Sequence, residues 1–319
     1  MAPAHPGRDT TEDILTNQAD LIARFETFRF KHTLVTGLEI GTEDFNATRF
    51  AFSNIPTTSL VNPDPVRNTS RMTRSVSAIT DTSTFLLGLY ATDTIKLLPQ
   101  LDLVGGVRWD LFDADFKDRL TGNKFARTDN MWCYRAGLVF HPWPAHSYYF
   151  SAGNSFNPSA EALALAANNA DTAPEESQSY EIGGKIDMLG GALSLQGALF
   201  RTDKTNARTP DPITRLQVME GEQRVQGFEF GVIGRPLPAF SVFAGYTYLD
   251  SEILKSKEVV NGVSVVGNEL PNAPQNSFSF GPRMTFSNVG RWGPTSSTLM
   301  SVSPTTPTPT SLPARCAGI

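Results

Sequence analysis

The sequence predicts an all-β fold, an antiparallel meander of long strands that forms part of a transmembrane β-barrel. Three observations favour this fold class. Apolar side chains recur at every second position, the charges Asp102, Arg108 and Asp110 in the returning arm of the clearest hairpin share one face, and short connections alternate with long ones. A transmembrane helix would need about 18 or more consecutive apolar residues, and the sequence contains no such run.

The clearest hairpin spans residues 84–113. Each arm is about ten residues long, which is the length that a tilted strand needs to cross a bilayer. An Arg or Lys on the lipid-facing side costs roughly 2–4 kcal/mol near the midplane, so barrel strands direct such groups into the lumen. The returning arm follows this rule, because Arg108 and Asp110 alternate with apolar residues. The predicted lipid-facing residues are Phe85, Leu87, Leu89 and Ala91 in the first arm and Leu101, Leu103, Gly105, Val107, Trp109 and Leu111 in the second.

The other predicted strands show the same alternation more weakly. They lie at residues 20–30, 32–43, 131–140, 147–156, 178–188, 192–200, 224–234, 240–250 and 277–280. Tight turns are predicted near 30–31 and at 97–100, 141–146, 189–191 and 235–239, and long polar loops at 44–77, 116–130, 157–177, 202–220 and 251–276. Transmembrane barrels alternate tight periplasmic turns with extended extracellular loops, whereas Greek-key sandwiches lack this regularity.

Aromatic residues gather near the predicted strand ends. Interfacial girdles of a barrel predict this distribution, although core packing in a soluble β protein would also produce some of it. The aromatic residues concerned are Trp109, Trp132, Tyr134, Tyr148, Tyr246 and Tyr248.

Composition and charge exclude several classes of function. The net charge is −5, and Lys and Arg are scattered rather than collected in a stripe, so we expect no nucleic-acid partner. The first 13 residues contain no apolar segment of the kind found in signal peptides. We predict a disordered lead at residues 1–15, a partial barrel at 16–280 and a low-complexity tail at 281–319. The tail is rich in Ser, Thr and Pro, and its abrupt start indicates a shifted reading frame or a chimeric gene end.

Recognised catalytic and metal-binding motifs are absent from the sequence. There is no G-x-S-x-G, C-x-x-C or H-E-x-x-H motif and no phosphate-binding glycine loop, so we predict that the protein is not an enzyme. An acidic run at Asp110, Asp113, Asp115 and Asp118 has oxygen ligands suited to calcium. The ordinary interpretation is a solvated edge between a strand and a loop. We therefore predict no metal site and no cofactor.

Several stretches are similar to the C-terminal part of TonB-dependent siderophore receptors, in the group that takes up catecholate- or hydroxamate-type ferric siderophores. The similarity extends over about residues 16–280, and its motifs are specific only in combination. They include KHTLVTGLE at 31–39, TTSLVNPDP at 57–65, PEESQSYEIGGK at 174–185, GEQRVQGFEFGVIG at 221–234 and GNELPNAPQNSFSF at 267–280.

This resemblance implies a 22-stranded outer-membrane barrel with a plugged lumen, of which the chain supplies about half the strands. It further implies that the plug, the segment that contacts the TonB complex, the signal peptide and the final strands are missing from this chain. The expected function is that of a fragment of an outer-membrane receptor that binds and imports ferric siderophores with TonB-supplied energy, in contact with outer-membrane lipid. The alternative is a soluble β-rich binding or adhesin module, which would fold as a monomer without amphiphile. A barrel enzyme would need a nucleophile or acid–base constellation, and none is visible.

The resemblance also implies a ligand, the transported ferric siderophore, which is commonly anionic and carries aromatic or hydroxamate groups. Arg and aromatic side chains suit such a ligand through charge-assisted hydrogen bonds and cation–π contacts. The candidate ligand-binding residues are Arg127, Trp132, Arg208 and Arg215. The ordinary alternative for each is a solvated loop charge or an interfacial Trp.

Overall fold

A computed structural model describes residues 7–56, 66, 68, 70–158, 173–210 and 217–285. Eleven strands form one antiparallel sheet in which each strand pairs with its neighbour along the chain, and β1 and β13 lie at the two edges. The strands of this sheet are β1 (Gly7–Thr27), β2 (Phe30–Ser53), β3 (Thr73–Leu98), β4 (Leu101–Asp118), β5 (Lys124–Phe140), β6 (His146–Asn157), β7 (Glu175–Met188), β8 (Leu193–Pro210), β9 (Gln217–Leu237), β10 (Phe240–Lys255) and β13 (Asn276–Met284).

Two small elements complete the described structure. A 3₁₀ turn at Leu189–Gly191 joins β7 to β8, and β11 (Val259–Val260) pairs with β12 (Val263–Ser264) between β10 and β13. The antiparallel meander and the all-β fold class predicted from the sequence are confirmed. None of the described residues forms a helix long and apolar enough to cross a membrane.

Cross-strand register separates the sheet into two chemically different faces. One row of directly opposed residues runs through β4 to β10 and is almost entirely apolar or aromatic. It comprises Leu103, Leu138, Phe150, Ile182, Leu199, Phe228 and Tyr248. We call this apolar side the outward face and the opposite side, which carries Glu39, Arg108 and Asp110, the inward face. Barrel strands that cross a membrane alternate in this way between lipid and lumen.

Apolar side chains on the outward face are exposed rather than packed. Trp132, Ile182 and Leu199 retain 62%, 57% and 59% of their accessible surface. Soluble monomers seldom expose a continuous apolar surface larger than a few hundred Å². A face of this kind requires an apolar environment.

The buried apolar cluster lies on the inward face of β3, β4 and β5. Phe112 is fully buried at its centre, and Phe125 and Phe156 pack against its edge. Its buried members are Leu86, Phe112, Ala114, Phe116 and Met131.

The tight turns and longer connections lie at opposite ends of the sheet. The tight turns occupy residues 28–29, 99–100, 141–145, 189–192 and 238–239, and the other connections occupy 54–72, 119–123, 158–174, 211–216 and 256–275. The predicted alternation of short and long connections is confirmed with two exceptions, because the connections at 119–123 and 211–216 are themselves short.

Strand lengths correct several sequence-based boundaries. Residues 7–15, expected to be disordered, belong to β1 and pair with β2, and the predicted loop at 116–130 is mostly the end of β4 and the start of β5. Strands also extend into the predicted loops at 44–77 and 202–220. Beyond the apolar band both faces of a strand meet water, so the alternation that identifies a strand disappears there. Most of the predicted loop at 157–177 and the tail from residue 286 lie outside the described residues.

The backbone pairing between β5 and β6 ends before the long-connection ends of these strands, which leaves a fork in the sheet. β4 pairs with β5 as far as Lys117 opposite Lys124, whereas the pairing of β5 with β6 stops at Arg135 opposite Gly153. Asn154 closes the fork, because its side-chain oxygen accepts the backbone N–H of Tyr134 at 2.7 Å and its amide donates to the carbonyl of Trp132 at 3.1 Å.

Candidate functional site

The centre of the inward face holds a buried ion pair. Arg108 and Asp110 lie two residues apart on β4, so alternation places both side chains on the same face. The Arg108 guanidinium donates to the Asp110 carboxylate at 2.7 and 2.9 Å and to Glu39 on β2 at 2.7 Å. Asp110 is fully buried and Arg108 is 6% exposed, so the pair is largely screened from water.

Tyr90 extends this network towards β1. Its hydroxyl donates to the carboxylate of Asp20 and accepts a hydrogen bond from the Gln18 amide at 2.7 Å. The guanidinium carbon of Arg108 lies 5.4 Å from the centre of the Tyr90 ring. Six side chains from four strands are therefore joined at one level of the inward face. They comprise three carboxylates, one arginine, one tyrosine and one glutamine.

Nearer the long-connection end, Arg127 faces inward beside the apolar cluster. Its Nε donates to the carboxylate of Asp129 at 2.6 Å, and both side chains are largely buried. Arg127 lies opposite Ala114, which belongs to the cluster. This part of the wall combines a guanidinium, a carboxylate and a flanking apolar surface.

A second charged group ties the ends of β6, β7 and β8 together. Glu175 accepts the Lys204 ammonium at 3.1 Å and the backbone N–H of Arg208 at 3.0 Å, and the Arg208 side chain donates to the carbonyl of Pro158 at 3.1 Å. Burial raises the pKa of Glu175, but the Lys204 charge and the Arg208 N–H outweigh burial, so the pKa lies below its ordinary value. Glu175 is thus a stable anion at neutral pH.

The predicted ligand-binding residues do not converge on one point. Arg127 faces inward, whereas Trp132 faces outward opposite Trp109 and is 62% exposed. Arg208 is engaged at the loop end with Pro158 and Glu175. Arg215 lies outside the described residues. Of the four, Arg127 is the one whose position on the inward wall is given by strand register.

The acidic run considered for calcium is divided between different environments. Asp110 faces inward against Arg108, whereas Asp113 accepts a hydrogen bond from Thr128 at 2.6 Å on the outward face. Asp118 accepts the backbone N–H groups of Leu120 and Thr121 in the following turn, and these bonds lower its pKa. Within the described ranges, no group of three or more His, Cys, Asp or Glu residues is placed to hold a metal ion.

The buried network itself was missed by sequence reasoning. Alternation on β4 correctly placed Arg108 and Asp110 on one face, but their partner Glu39 lies 69 residues from Arg108 in the chain. Only the pairing register of β2, β3 and β4 brings these residues together.

Comparison with known proteins identifies the family to which this sheet belongs. The family described as "TonB dependent receptor-like, beta-barrel" matches residues 3–311. The chain belongs to this family. Membership favours the barrel interpretation over the soluble module, in agreement with the exposed apolar face. The family is one of outer-membrane β-barrels.

Two curated relatives of this chain are named as probable TonB-dependent receptors. A probable TonB-dependent receptor, BfrD of Bordetella pertussis, is 31% identical over 295 residues, covering 84% of this chain and 39% of its own length. The probable TonB-dependent siderophore receptor PiuA of Acinetobacter baumannii is 30% identical over 302 residues, covering 83% of this chain and 40% of its own length. The chain therefore spans about two fifths of the length of the curated relatives that it matches.

Solved structures agree with the fold. The crystal structure of PiuA from A. baumannii superposes with a TM-score of 0.77 at 28% identity, over 87% of this chain and 44% of that structure. The closed form of the ferric-catecholate import receptor Fiu from Escherichia coli gives a TM-score of 0.75 at 27% identity, over 88% of this chain and 43% of that structure. The eleven-stranded sheet is thus a part of a TonB-dependent receptor barrel.

Proposed function

We propose that this chain forms part of the wall of an outer-membrane receptor that binds ferric siderophores and imports them with energy supplied through TonB. The single observation that carries the proposal is the 30% identity to the siderophore receptor PiuA over 83% of this chain, in a family of TonB-dependent receptors. The related protein Fiu is named as a catecholate siderophore receptor. We therefore take ferric catecholates as the first ligand class to test.

The two faces of the sheet support the membrane location. The outward face is apolar and exposed over seven consecutive strands, and hydrocarbon is the environment that such a face requires. Outward charges occur nearer the long-connection end, as in the group Arg201, Asp203 and Arg224. The tight-turn end would then lie in the periplasm and the long-connection end outside the cell.

The inward wall supports ligand binding at the outer end. Arg127 offers a guanidinium beside aromatic and aliphatic side chains, and a ferric catecholate combines negative charge with aromatic rings. A guanidinium can donate charge-assisted hydrogen bonds to the catecholate oxygens, and each such bond is worth about 1.5–3 kcal/mol. Arg208 at the loop end and Arg215 remain proposed contributors. Trp132 is better suited to the membrane interface, because its ring is on the outward face.

The binding experiment uses the iron(III) complex of 2,3-dihydroxybenzoate and the full chain in detergent micelles. Titration followed by tryptophan fluorescence should show saturable quenching, and Arg127→Gln should weaken binding by about tenfold. Arg127→Lys keeps the charge beside Asp129 and controls for loss of structure. Arg201→Gln, on the outward face, should bind like the wild type. Equal affinity in all four proteins would contradict the placement of the site.

The import step is tested in cells. A strain that lacks its own catecholate receptors and produces a complete TonB-dependent receptor whose barrel includes this chain should accumulate radioactive iron from the ferric catecholate, and deletion of the TonB gene should abolish the accumulation. Accumulation that is unaffected by that deletion would contradict energised import.

A further inference from the structure

One ionisable pair of the outward face lies at the tight-turn end of the sheet. The Nδ1 atom of His32 contacts a carboxylate oxygen of Asp93 at 2.6 Å, and these side chains are 13% and 25% exposed. Register continues the apolar row of the outward face from Leu103 through Ile95 to His32. Ionisable side chains beside lipid are costly and rare, so such a pair indicates a specific binding partner.

An aromatic ring and an open space border this pair. Phe25 is directly opposite His32, and the two rings stack with centroids 4.8 Å apart and planes inclined by 2°. Gly105 is directly opposite Asp93, and no atom lies within 4 Å of the position that a Cβ would take there. Phe25 and Asp93 therefore fix the plane and one edge of the imidazole. Among the described residues, Nε2 of His32 has no hydrogen-bond partner.

The adjacent turn exposes a phenylalanine in an unfavourable backbone conformation. Phe28 has a φ of 59° and is 98% exposed. Two-residue hairpin turns often require this left-handed conformation, and Gly, Asn or Asp normally supply it because a bulky side chain is disfavoured there. Packing within the protein does not account for a ring that is both strained and exposed. Insertion at a membrane interface does, since aromatic rings favour that zone.

Arg29 in the same turn supplies positive charge. Its guanidinium carbon lies 5.6 Å from the centre of the ring of Phe30, a residue on the outward face of β2. Within the described ranges Arg29 forms no ion pair, whereas its neighbour Lys31 faces inward and contacts Glu26 at 3.9 Å. We call this group the β1–β2 corner, and its members are Phe25, Phe28, Arg29, Phe30 and His32.

We propose that the β1–β2 corner binds the phosphate of a phosphatidylglycerol molecule at the membrane surface. A guanidinium donates paired hydrogen bonds to phosphate, and Arg29 is placed to do so from the turn. When both ring nitrogens of His32 carry a proton, Nδ1–H donates to Asp93 and Nε2–H donates to the same phosphate from the hydrocarbon side. The three phenylalanine rings then contact the glycerol and the upper part of an acyl chain.

Charge complementarity selects this lipid. The charges of Arg29, protonated His32 and Asp93 leave one net positive charge, and phosphatidylglycerol carries one negative charge. Phosphatidylcholine is neutral overall and leaves the charge of the corner unbalanced. A free phosphate ester carries the charge but lacks the acyl chains that the phenylalanine rings would contact. Basic groups at a membrane surface attract anionic lipids in the same way.

The test uses the full chain in detergent micelles with dioleoylphosphatidylglycerol or dioleoylphosphatidylcholine, and native mass spectrometry measures the dissociation constant of the first bound lipid. Phosphatidylglycerol should bind at least about tenfold more tightly than phosphatidylcholine. Arg29→Gln and His32→Gln should each weaken binding of phosphatidylglycerol about tenfold, because each removes a donor to the phosphate. This measurement does not depend on binding of a ferric catecholate.

Two further variants separate a built site from general effects. Lys31→Gln removes a positive charge from the same segment but on the inward face, and should leave the affinity unchanged. Phe28→Gly relieves the positive φ, because glycine adopts this conformation readily. This variant should resist urea in micelles at least as well as the wild type, yet bind phosphatidylglycerol more weakly.

Three outcomes would overturn the proposal. Equal binding of the two lipids would remove the net charge of the headgroup from recognition. An equal loss of affinity in Lys31→Gln and Arg29→Gln would show diffuse attraction rather than a built site. Displacement of the lipid by an equal concentration of glycerol 3-phosphate would assign the corner to a soluble phosphate ester.

Discussion

Removing the charge of Asp110 should destabilise the barrel strands more than any exposed ion-pair substitution. Asp110→Asn keeps the size of the side chain but leaves Arg108 with a weaker partner at a site where Asp110 is fully buried and Arg108 is 6% exposed. Loss of one member of a buried ion pair costs about 3–5 kcal/mol. Glu39 still accepts a hydrogen bond from Arg108 at 2.7 Å, so we expect the lower end, about 3 kcal/mol.

The chain contains a matched control for this measurement. Lys185 and Asp187 are also two residues apart on one strand and contact at 3.3 Å, but their side chains are 52% and 37% exposed. Exposed pairs contribute about 0–1 kcal/mol, so Asp187→Asn should cost less than about 1 kcal/mol. The difference between the two substitutions isolates the effect of burial.

The assay is urea-induced unfolding of the refolded chain in lipid vesicles, followed by tryptophan fluorescence. Trp109 lies between Arg108 and Asp110 in sequence and reports on this part of β4. A triple variant, Arg108→Met with Asp110→Leu and Glu39→Gln, should cost less than Asp110→Asn alone, because it removes the arginine together with both of its carboxylate partners. A cost for Asp110→Asn below about 1 kcal/mol, equal to the exposed control, would refute the inference that the pair is shielded from water.

Three other substitutions test separate parts of the structure. Gly227→Ala should destabilise the sheet by about 1–3 kcal/mol, because its Cβ would lie 2.0 Å from a backbone oxygen of β10, whereas Gly105→Ala has no atom within 4 Å and should be neutral in the same unfolding assay. Asn154→Ala removes both backbone contacts that close the fork and should cost about 1–3 kcal/mol and speed proteolysis of the outer part of β5. Glu175→Gln should destabilise the loop end at pH 7, measured as faster trypsin cleavage after Lys204. The lowered pKa of Glu175 means that its stabilisation is present above its ordinary pKa and is lost as pH falls through the folded value, so variant and wild type should converge in acid.

The faces of the strands could be predicted from the sequence because they depend on local periodicity alone. The alternation in residues 84–113 placed Leu89 and Trp109 on one face and Arg108 on the other, and the register of β3 with β4 confirms this division. Tight turns followed from short breaks between alternating segments. These features need no knowledge of which distant strands pair.

Strand ends could not be predicted in the same way. β1 begins at Gly7, although residues 8–13 carry polar or charged side chains at every position. Backbone hydrogen bonding to β2 holds this segment, and such pairing leaves no period in the side chains when both faces meet water. For the same reason, the sequence at the end of β4 and the start of β5 has no clear alternation and was predicted to be a loop.

The candidate site shows a different limit. In the sequence of β5, Trp132, Tyr134 and Leu138 alternate with Arg135, so the alternation favours the outward face for Trp132, whereas ligand chemistry favoured a binding role. In the structure Trp132 lies on the outward face, as the alternation indicates. The contact of Arg108 with Glu39, by contrast, depends on the pairing register of β2, β3 and β4, which could not be read from residue spacing.

The central claim is that the apolar outward face contacts hydrocarbon. Its most direct test is a nitroxide scan of residues 103–107 on β4, in a variant whose two cysteines are replaced by serine, reconstituted in lipid vesicles. Collision with oxygen should be high at Leu103, Gly105 and Val107 and low at Val104 and Gly106, with the opposite pattern for a water-soluble nickel chelate. Uniformly low collision with both reagents at the odd-numbered positions would place them in a protein interior and contradict the account.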